Sequence, residues 1–267
     1  MRLTKSLLLS LIGAFGLASA AHAQTTFEWP KGKTAAIVLT YDDALKSQLD
    51  IAIPQLDAAK FKGTFFLDGD LTPADMLRWR KAAAHGHELG NHSMFHPCPR
   101  AMLPDRHNYL TDNYDVARML EELASMNNVL FGIDAKMSRT FSVPCSQTLV
   151  GGADYTPPLK ASGLFRALRT GGDQWNSVVG EPAKLDSFAV PSYGPVKDPG
   201  SAELIAYVER VRAANGLGVL QFHGVGGDYL EVSAGTHQAL VSYLRQHPDV
   251  WVGTFQEVMD YVRARSR

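Results

Sequence analysis

Asp42 and Asp43 stand side by side directly after the apolar run Thr34–Thr40. Two adjacent carboxylates at the mouth of a buried strand are costly unless a cation or a proton relieves them. Taken alone, the pair reads equally well as an acidic turn capping the next helix. The stretch Asn91-His92-Ser93-Met94-Phe95-His96-Pro97 follows a second short strand and sets two histidines four apart. On a helical turn that spacing would face both imidazoles the same way. Imidazole suits zinc and the other borderline divalent ions. Asp43 with His92 and His96 would make three protein ligands and leave positions for water and substrate, as a catalytic centre needs. His223 closes the apolar strand that begins at Leu217, so it would emerge into the same mouth if the strands run parallel.

Positioning these groups is the task of alternating strands and helices. Thr34–Thr40, Gly63–Leu67, Glu88–Leu89, Thr140–Val143, Leu164–Leu168, Leu217–Phe222 and Trp251–Val252 read as strands. Helices are expected over Leu45–Ala59 (disturbed at Pro54), from a Thr72-Pro73 start to Ala84, over Asn113–Leu130, from a Ser201 cap to Ala214, over Gly235–Gln246, and after the capping box Thr254-Phe255-Gln256-Glu257. Such alternation implies parallel strands with crossover helices. Seven or eight units suggest an α/β fold closed into a barrel, with an open doubly wound sheet as the alternative. Barrel enzymes build their sites where strands end.

The 267 residues carry a formal charge of −1, which leaves no basic footprint for nucleic acid or anionic lipid. Arg2 and Lys5, the apolar run Leu7–Leu17 and Ala21-His22-Ala23 have the form of a signal peptide over residues 1–23, with one catalytic domain over 24–267. The apolar run is shorter than the roughly 20 residues a span needs, so no membrane span is expected after cleavage. The protein is expected to be exported, periplasmic or secreted. Export permits a disulfide between the two cysteines, Cys98 and Cys145; the alternative is two buried thiols.

Asn91-His92-Ser93-Met94-Phe95-His96-Pro97, with its lead-in Gly86-His87-Glu88-Leu89-Gly90, resembles the metal motif of the polysaccharide deacetylase family (NodB-homology, carbohydrate esterase family 4). Thr40-Tyr41-Asp42-Asp43-Ala44, Gly63-Thr64-Phe65-Phe66-Leu67 and Leu220-Gln221-Phe222-His223 resemble further motifs of that family in order and spacing. The resemblance implies a deformed (β/α) barrel of about seven units and hydrolysis of acetyl groups on a polysaccharide or oligosaccharide. It implies one divalent ion, zinc foremost, on Asp43, His92 and His96. Asp42 would be general base and His223 general acid.

The sequence departs from the family pattern in two places. Ser142 stands where an arginine is usual; Arg139 lies too far back, and Arg169, after Leu164–Leu168, is the candidate to orient Asp42. Only Asp173-Gln174-Trp175 echoes the fourth motif. The backbone N–H of Cys145 is the candidate oxyanion donor, and Trp175 and Tyr229 are candidate sugar platforms. The rival readings are a metal-dependent amidohydrolase acting on a small non-sugar amide and a catalytically silent carbohydrate-binding relative. The sugar, and whether nitrogen or oxygen bears the acetyl group, are open at this point.

Overall fold

The computed structural model describes residues 27–103 and 107–266. The expected signal peptide lies outside the described residues. β1 (Ala35–Asp42) is buried along its whole length, as a strand covered on both faces must be. Its alternate residues serve two layers. Ala36 and Val38 pack inside with Phe66, Val190, Leu217 and Val219. Ala35, Ile37, Leu39 and Tyr41 pack outward among the helices. The inward series Ala36, Val38, Thr40, Asp42 therefore turns from apolar to acidic on the way to the strand's end.

The remaining strands are β2 (Thr64–Leu67), β3 (Glu88–Asn91), β4 (Phe141–Ser142), the hairpin β5 (Leu149–Val150) and β6 (Ala153–Asp154), β7 (Leu168–Arg169), β8 (Leu217–Phe222) and β9 (Val250–Gly253). The main sheet runs β7-β4-β3-β2-β1-β8, all pairs parallel. A segment without strand patterning closes it. Val190 pairs with Arg169 on one side, and Tyr193 pairs with Leu220 on the other, both in parallel. β9 pairs with the first half of β1, and β2 with the second half. The result is a deformed α/β barrel rather than an open sheet. Gly90 makes its close packing possible: a Cβ there would lie 2.4 Å from a ring carbon of Phe66.

The helices are α1 (Ile53–Ala59), α2 (Pro73–Ala84), α3 (Val116–Asp134), α4 (Thr156–Ser162), α5 (Ser201–Ala213), α6 (Ala234–Gln246) and α7 (Phe255–Arg263). Capping boxes open α2 at Thr72/Asp75 and α7 at Thr254/Glu257, the second as the sequence indicates. α7 plugs the barrel's N-terminal end with Phe255, Val258, Met259 and Val262.

Several expectations are corrected. The run Leu45–Ala59 is not one regular helix. A π-type turn, Gln48–Ala52, absorbs the irregularity before α1, where Pro54 sits in the first turn. α3 starts at Val116 behind an Asp115 cap and continues past Leu130 to Asp134. The cap of α5 is Gly200 at φ 77°, not Ser201, which is already helical. Of Leu164–Leu168 only the last residue is in a strand, because Gly163 has just ended α4 and the chain needs the distance to re-enter the barrel. α4 and the β5–β6 hairpin were not among the expected elements.

Two histidines outside the site are structural. His87 accepts from the Gly63 N–H through Nδ1 at 3.0 Å. His237 is fully buried between the Tyr41 hydroxyl (2.7 Å) and Gln55 Oε1 (2.6 Å). Burial drives its pKa down to about 3. The unfolded chain therefore binds a proton below about pH 6.5 that the native state refuses, so this site's contribution is complete above that pH and is lost as pH falls towards 3. Between pH 7 and pH 5 the loss is about 2 kcal/mol. Urea unfolding of His237→Gln should show a pH 7 to pH 5 decline smaller than wild type by that amount; equal declines would refute the assignment.

Candidate metal centre and active-site cavity

β1 delivers its two terminal acids to different places. Asp42 is the last strand residue and points inward. Asp43 follows in a left-handed conformation, φ 73°, with Ala44 at φ 54°. Left-handed backbone is uncommon and costly for residues other than glycine. Here it swings the Asp43 side chain over the mouth while its N–H still bonds Phe66 O at 3.1 Å. From above, the Gln48 amide donates to Asp42 O (2.5 Å) and His223 O (3.1 Å), tying the ends of β1 and β8 together.

His92 follows β3, and its Nδ1 lies 2.8 Å from Ser142 O. That bond fixes the tautomer and leaves Nε2 to face the mouth. His96 is not on a helical turn with it. Ser93 (φ 65°) and His96 (φ 49°) are both left-handed, and Ser93 Oγ accepts the His96 N–H at 2.9 Å. The loop is held from below by Glu122, whose Oε1 accepts the N–H groups of Met94 (3.2 Å) and Phe95 (2.9 Å). Doubling the chain back brings the two Nε2 atoms together without a helical turn.

Three donor atoms converge. His92 Nε2 and His96 Nε2 are 3.2 Å apart, and Asp43 Oδ1 lies 3.3 Å from the first and 3.4 Å from the second. Ligands about 2.0–2.1 Å from a tetrahedral ion are separated by about 3.3–3.4 Å, so this triangle is one face of such a polyhedron. The two-imidazole, one-carboxylate set suits a borderline divalent ion. The local field also favours a cation. Burial opposes charge on His92, yet Asp42 and Asp43 outweigh it and raise its pKa to about 9. Burial likewise opposes charge on Asp43, and the three imidazoles around it pull its pKa far below the usual carboxylate range.

Beneath the triangle, Arg169 reaches up from β7 inside the barrel. Its Nη2 donates to Asp42 Oδ2 and to Ser142 Oγ, and its Nη1 to Ser192 Oγ at 2.8 Å. Gln221 Nε2 donates to the same Asp42 oxygen at 3.0 Å, while Asp42 Oδ1 is buried with no hydrogen-bond partner among the described residues. Ser142, at the usual arginine position, is thus small enough to admit a guanidinium from the neighbouring strand. Arg139 is engaged elsewhere, with Asp134 and Leu89 O. His223 presents Nε2 3.7 Å from Asp43 Oδ2, and burial lowers its pKa.

Asp42, Asp43, His92, His96 and His223 line a cavity of about 630 Å³ together with Asp68, Val143, Cys145, Val196, Gln221 and Tyr229. Cys98 and Cys145 form a disulfide that joins the histidine loop to the loop after β4. Cys145 itself is left-handed, at φ 52°. Trp175 is not among the lining residues. It is 67% exposed, and the Arg210 guanidinium lies 4.3 Å from its ring centre, so the proposed sugar platform is already covered on one face. Tyr229 does reach the cavity, but its hydroxyl bonds Asp43 Oδ2 at 2.6 Å. Sequence reasoning missed Asp68, whose pKa is pushed up to about 6 by burial and then by the charge on Asp43. It directly follows β2, so the search for polar residues after apolar runs would have found it. Gln221 was legible too, as an inward position of β8.

Residues 30–150 match the family model for polysaccharide deacetylase. No curated protein matches the chain. Among solved structures, a Mycobacterium smegmatis protein described as a polysaccharide deacetylase superposes with a TM-score of 0.65 at 18% identity, covering 90% of this chain and 94% of that one. The catalytic domain of a peptidoglycan N-acetylglucosamine deacetylase from Eubacterium rectale gives 0.55 at 16% identity, covering 83% and 88%. A carbohydrate esterase family 4 pseudoenzyme from Bacillus anthracis gives 0.55 at 17%, covering 87% and 66%. At such identities the likeness is one of fold, and it includes both an enzyme and a pseudoenzyme. The motif order from Thr40 to His223 and the deformed barrel agree with that match, and over residues 30–150 the chain is similar to the polysaccharide deacetylase family.

Proposed function

We propose that this protein is an exported hydrolase that removes acetyl groups from a carbohydrate polymer, with one divalent ion, zinc foremost, held by Asp43, His92 and His96. The observation that carries the reading is the triangle of donor atoms with edges of 3.2, 3.3 and 3.4 Å. A divalent ion there supplies Lewis acidity, polarising a carbonyl and making water acidic near neutral pH.

The chain's own residues do the rest. Asp42 takes the proton from the attacking water through its unpartnered Oδ1, while Arg169, Gln221 and Ser142 hold the other oxygen. The water oxygen bonds to the acetyl carbon, and the Cys145 N–H donates to the developing oxyanion. His223 protonates the leaving amine or alcohol as the C–N or C–O bond breaks, releasing acetate. The basic start, apolar run and Ala21-His22-Ala23 support export and a catalytic domain over 24–267.

The test is acetate release from acetylated chitooligosaccharides, peptidoglycan and acetylxylan beside simple amides, with chelation and metal add-back. Release from a polysaccharide that stops on chelation supports the reading. Turnover of small amides alone would favour the amidohydrolase alternative. The pseudoenzyme relative motivates a third arm: sugar binding by metal-loaded protein without acetate release would mark a silent carbohydrate-binding protein. His223→Ala should lose roughly 10²–10⁴-fold in turnover with metal content intact. Parallel loss of metal would make His223 a ligand instead.

A further inference from the structure

Tyr229 was expected to offer its ring to a sugar. The geometry points to a different role: we propose that Tyr229 is a positioning residue that locks Asp43 into binding the cation through one oxygen. The proposal rests on the metal-dependent reading above. Asp43 Oδ1 faces the two imidazole Nε2 atoms at 3.3 and 3.4 Å, while Oδ2 receives the Tyr229 hydroxyl at 2.6 Å. That length is typical of a hydroxyl bound to an ionised carboxylate. A carboxylate free to turn could chelate with both oxygens and fill a position needed by water or the substrate carbonyl. With Oδ2 occupied, that rotation is opposed, and the site keeps its open positions.

The loop that carries Tyr229 is built for this presentation. Asp228 (φ 64°) and Leu230 (φ 48°), its two neighbours, are both left-handed. Strain of this kind persists only where the surroundings over-determine it. They do so here: Ser47 N–H bonds Asp228 Oδ2 at 2.7 Å, Gly224 N–H bonds Tyr229 O at 3.1 Å, and Val232 N–H bonds Gly224 O at 2.9 Å. A Cβ on Gly224 would lie 2.1 Å from Gly227 O, so the turn closes only with glycine there. Tyr229 as a residue is 53% exposed, so the core does not depend on it. The ring is tilted against that of His223, with centroids 6.1 Å apart, and the hydroxyl reaches Asp43.

Two variants separate positioning from stacking. Tyr229→Phe removes one oxygen and keeps the ring; Tyr229→Leu removes both. Zn²⁺ dissociation constants are measured by chelator competition, and the Co²⁺-substituted proteins by visible absorption, alongside kcat and KM on the best polysaccharide. Expected for Tyr229→Phe is a 10–100-fold weaker metal affinity, a changed Co²⁺ spectrum and a lower kcat, as for other groups that support metal ligands. Tyr229→Leu should behave alike. An unchanged affinity and spectrum in Tyr229→Phe would overturn the proposal, as would a rise in KM seen only in Tyr229→Leu, which would restore the sugar platform. Wild-type protein that binds no divalent ion would remove the underlying reading and the proposal together. Should Tyr229→Leu fail to fold, Tyr229→Phe decides the matter.

Discussion

His96→Ala and His92→Ala are each expected to empty the metal centre and reduce acetate release by roughly 10³-fold or more. Lewis-acid stabilisation by a bound ion is worth several kcal/mol, and each 1.4 kcal/mol is a factor of ten in rate. Three protein ligands are the minimum found at catalytic centres of this type, so the loss of one cannot be shared among the others. The two variants should differ in folding. His92 is buried and bonded to Ser142 O, so its removal also leaves a buried carbonyl unpaired, whereas His96 lies on a loop already pinned to Glu122 through its neighbours. His96→Ala is therefore the cleaner test. Metal per chain is measured by elemental analysis after desalting, beside acetate release. One ion per chain with near wild-type turnover in His96→Ala would remove His96 from the ligand set and break the proposed centre.

The second large effect is expected at Arg169, and it concerns stability as well as rate. Asp42 and Arg169 form an ion pair inside the barrel, with side chains 1% and 2% exposed. Breaking a buried pair by removing one partner costs about 3–5 kcal/mol, because the remaining charge stays buried without compensation. Arg169→Met should lower unfolding stability by that amount and turnover by roughly 10²-fold or more, since the base loses the fork that aims it. Arg169→Lys should rescue little: an ammonium supplies one point of charge, whereas the guanidinium serves Asp42, Ser142 and Ser192 together. The double variant Asp42→Asn with Arg169→Met removes both charges, so it should recover most of the stability and none of the turnover. Urea unfolding and acetate release measure the two effects. Wild-type stability in Arg169→Met alone would show that the buried pair does not matter to the fold.

Much of this arrangement was written locally. The apolar runs fixed which residues end strands, and the ends held Asp42, Asp43, His92 and His223. Alternation along β1 could be extended by hand to show that Asp42 points inward and that Asp43 begins something else. Periodicity works for such assignments because each side chain's direction depends only on the pleat of its own strand.

The distances between elements were not local. Ring closure depends on Val190 and Tyr193, which sit in a stretch with no strand pattern and pair only because β7 and β8 flank the gap. The neighbour of β4 is β7, beyond an intervening hairpin and helix, so nothing near Ser142 in the chain announces that Arg169 will occupy the space the missing arginine leaves. Left-handed residues at Asp43, Ser93, His96 and Asp228 are uncommon outside glycine, and tertiary bonds hold them there. They turn a His-x3-His spacing into a loop rather than a helical turn, and a loop tyrosine into a partner of Asp43. Sequence thus determined the chemistry present and the end of the barrel where it gathers. Only packing across the closed ring decided which oxygen meets which nitrogen, because that depends on contacts between residues far apart in the chain.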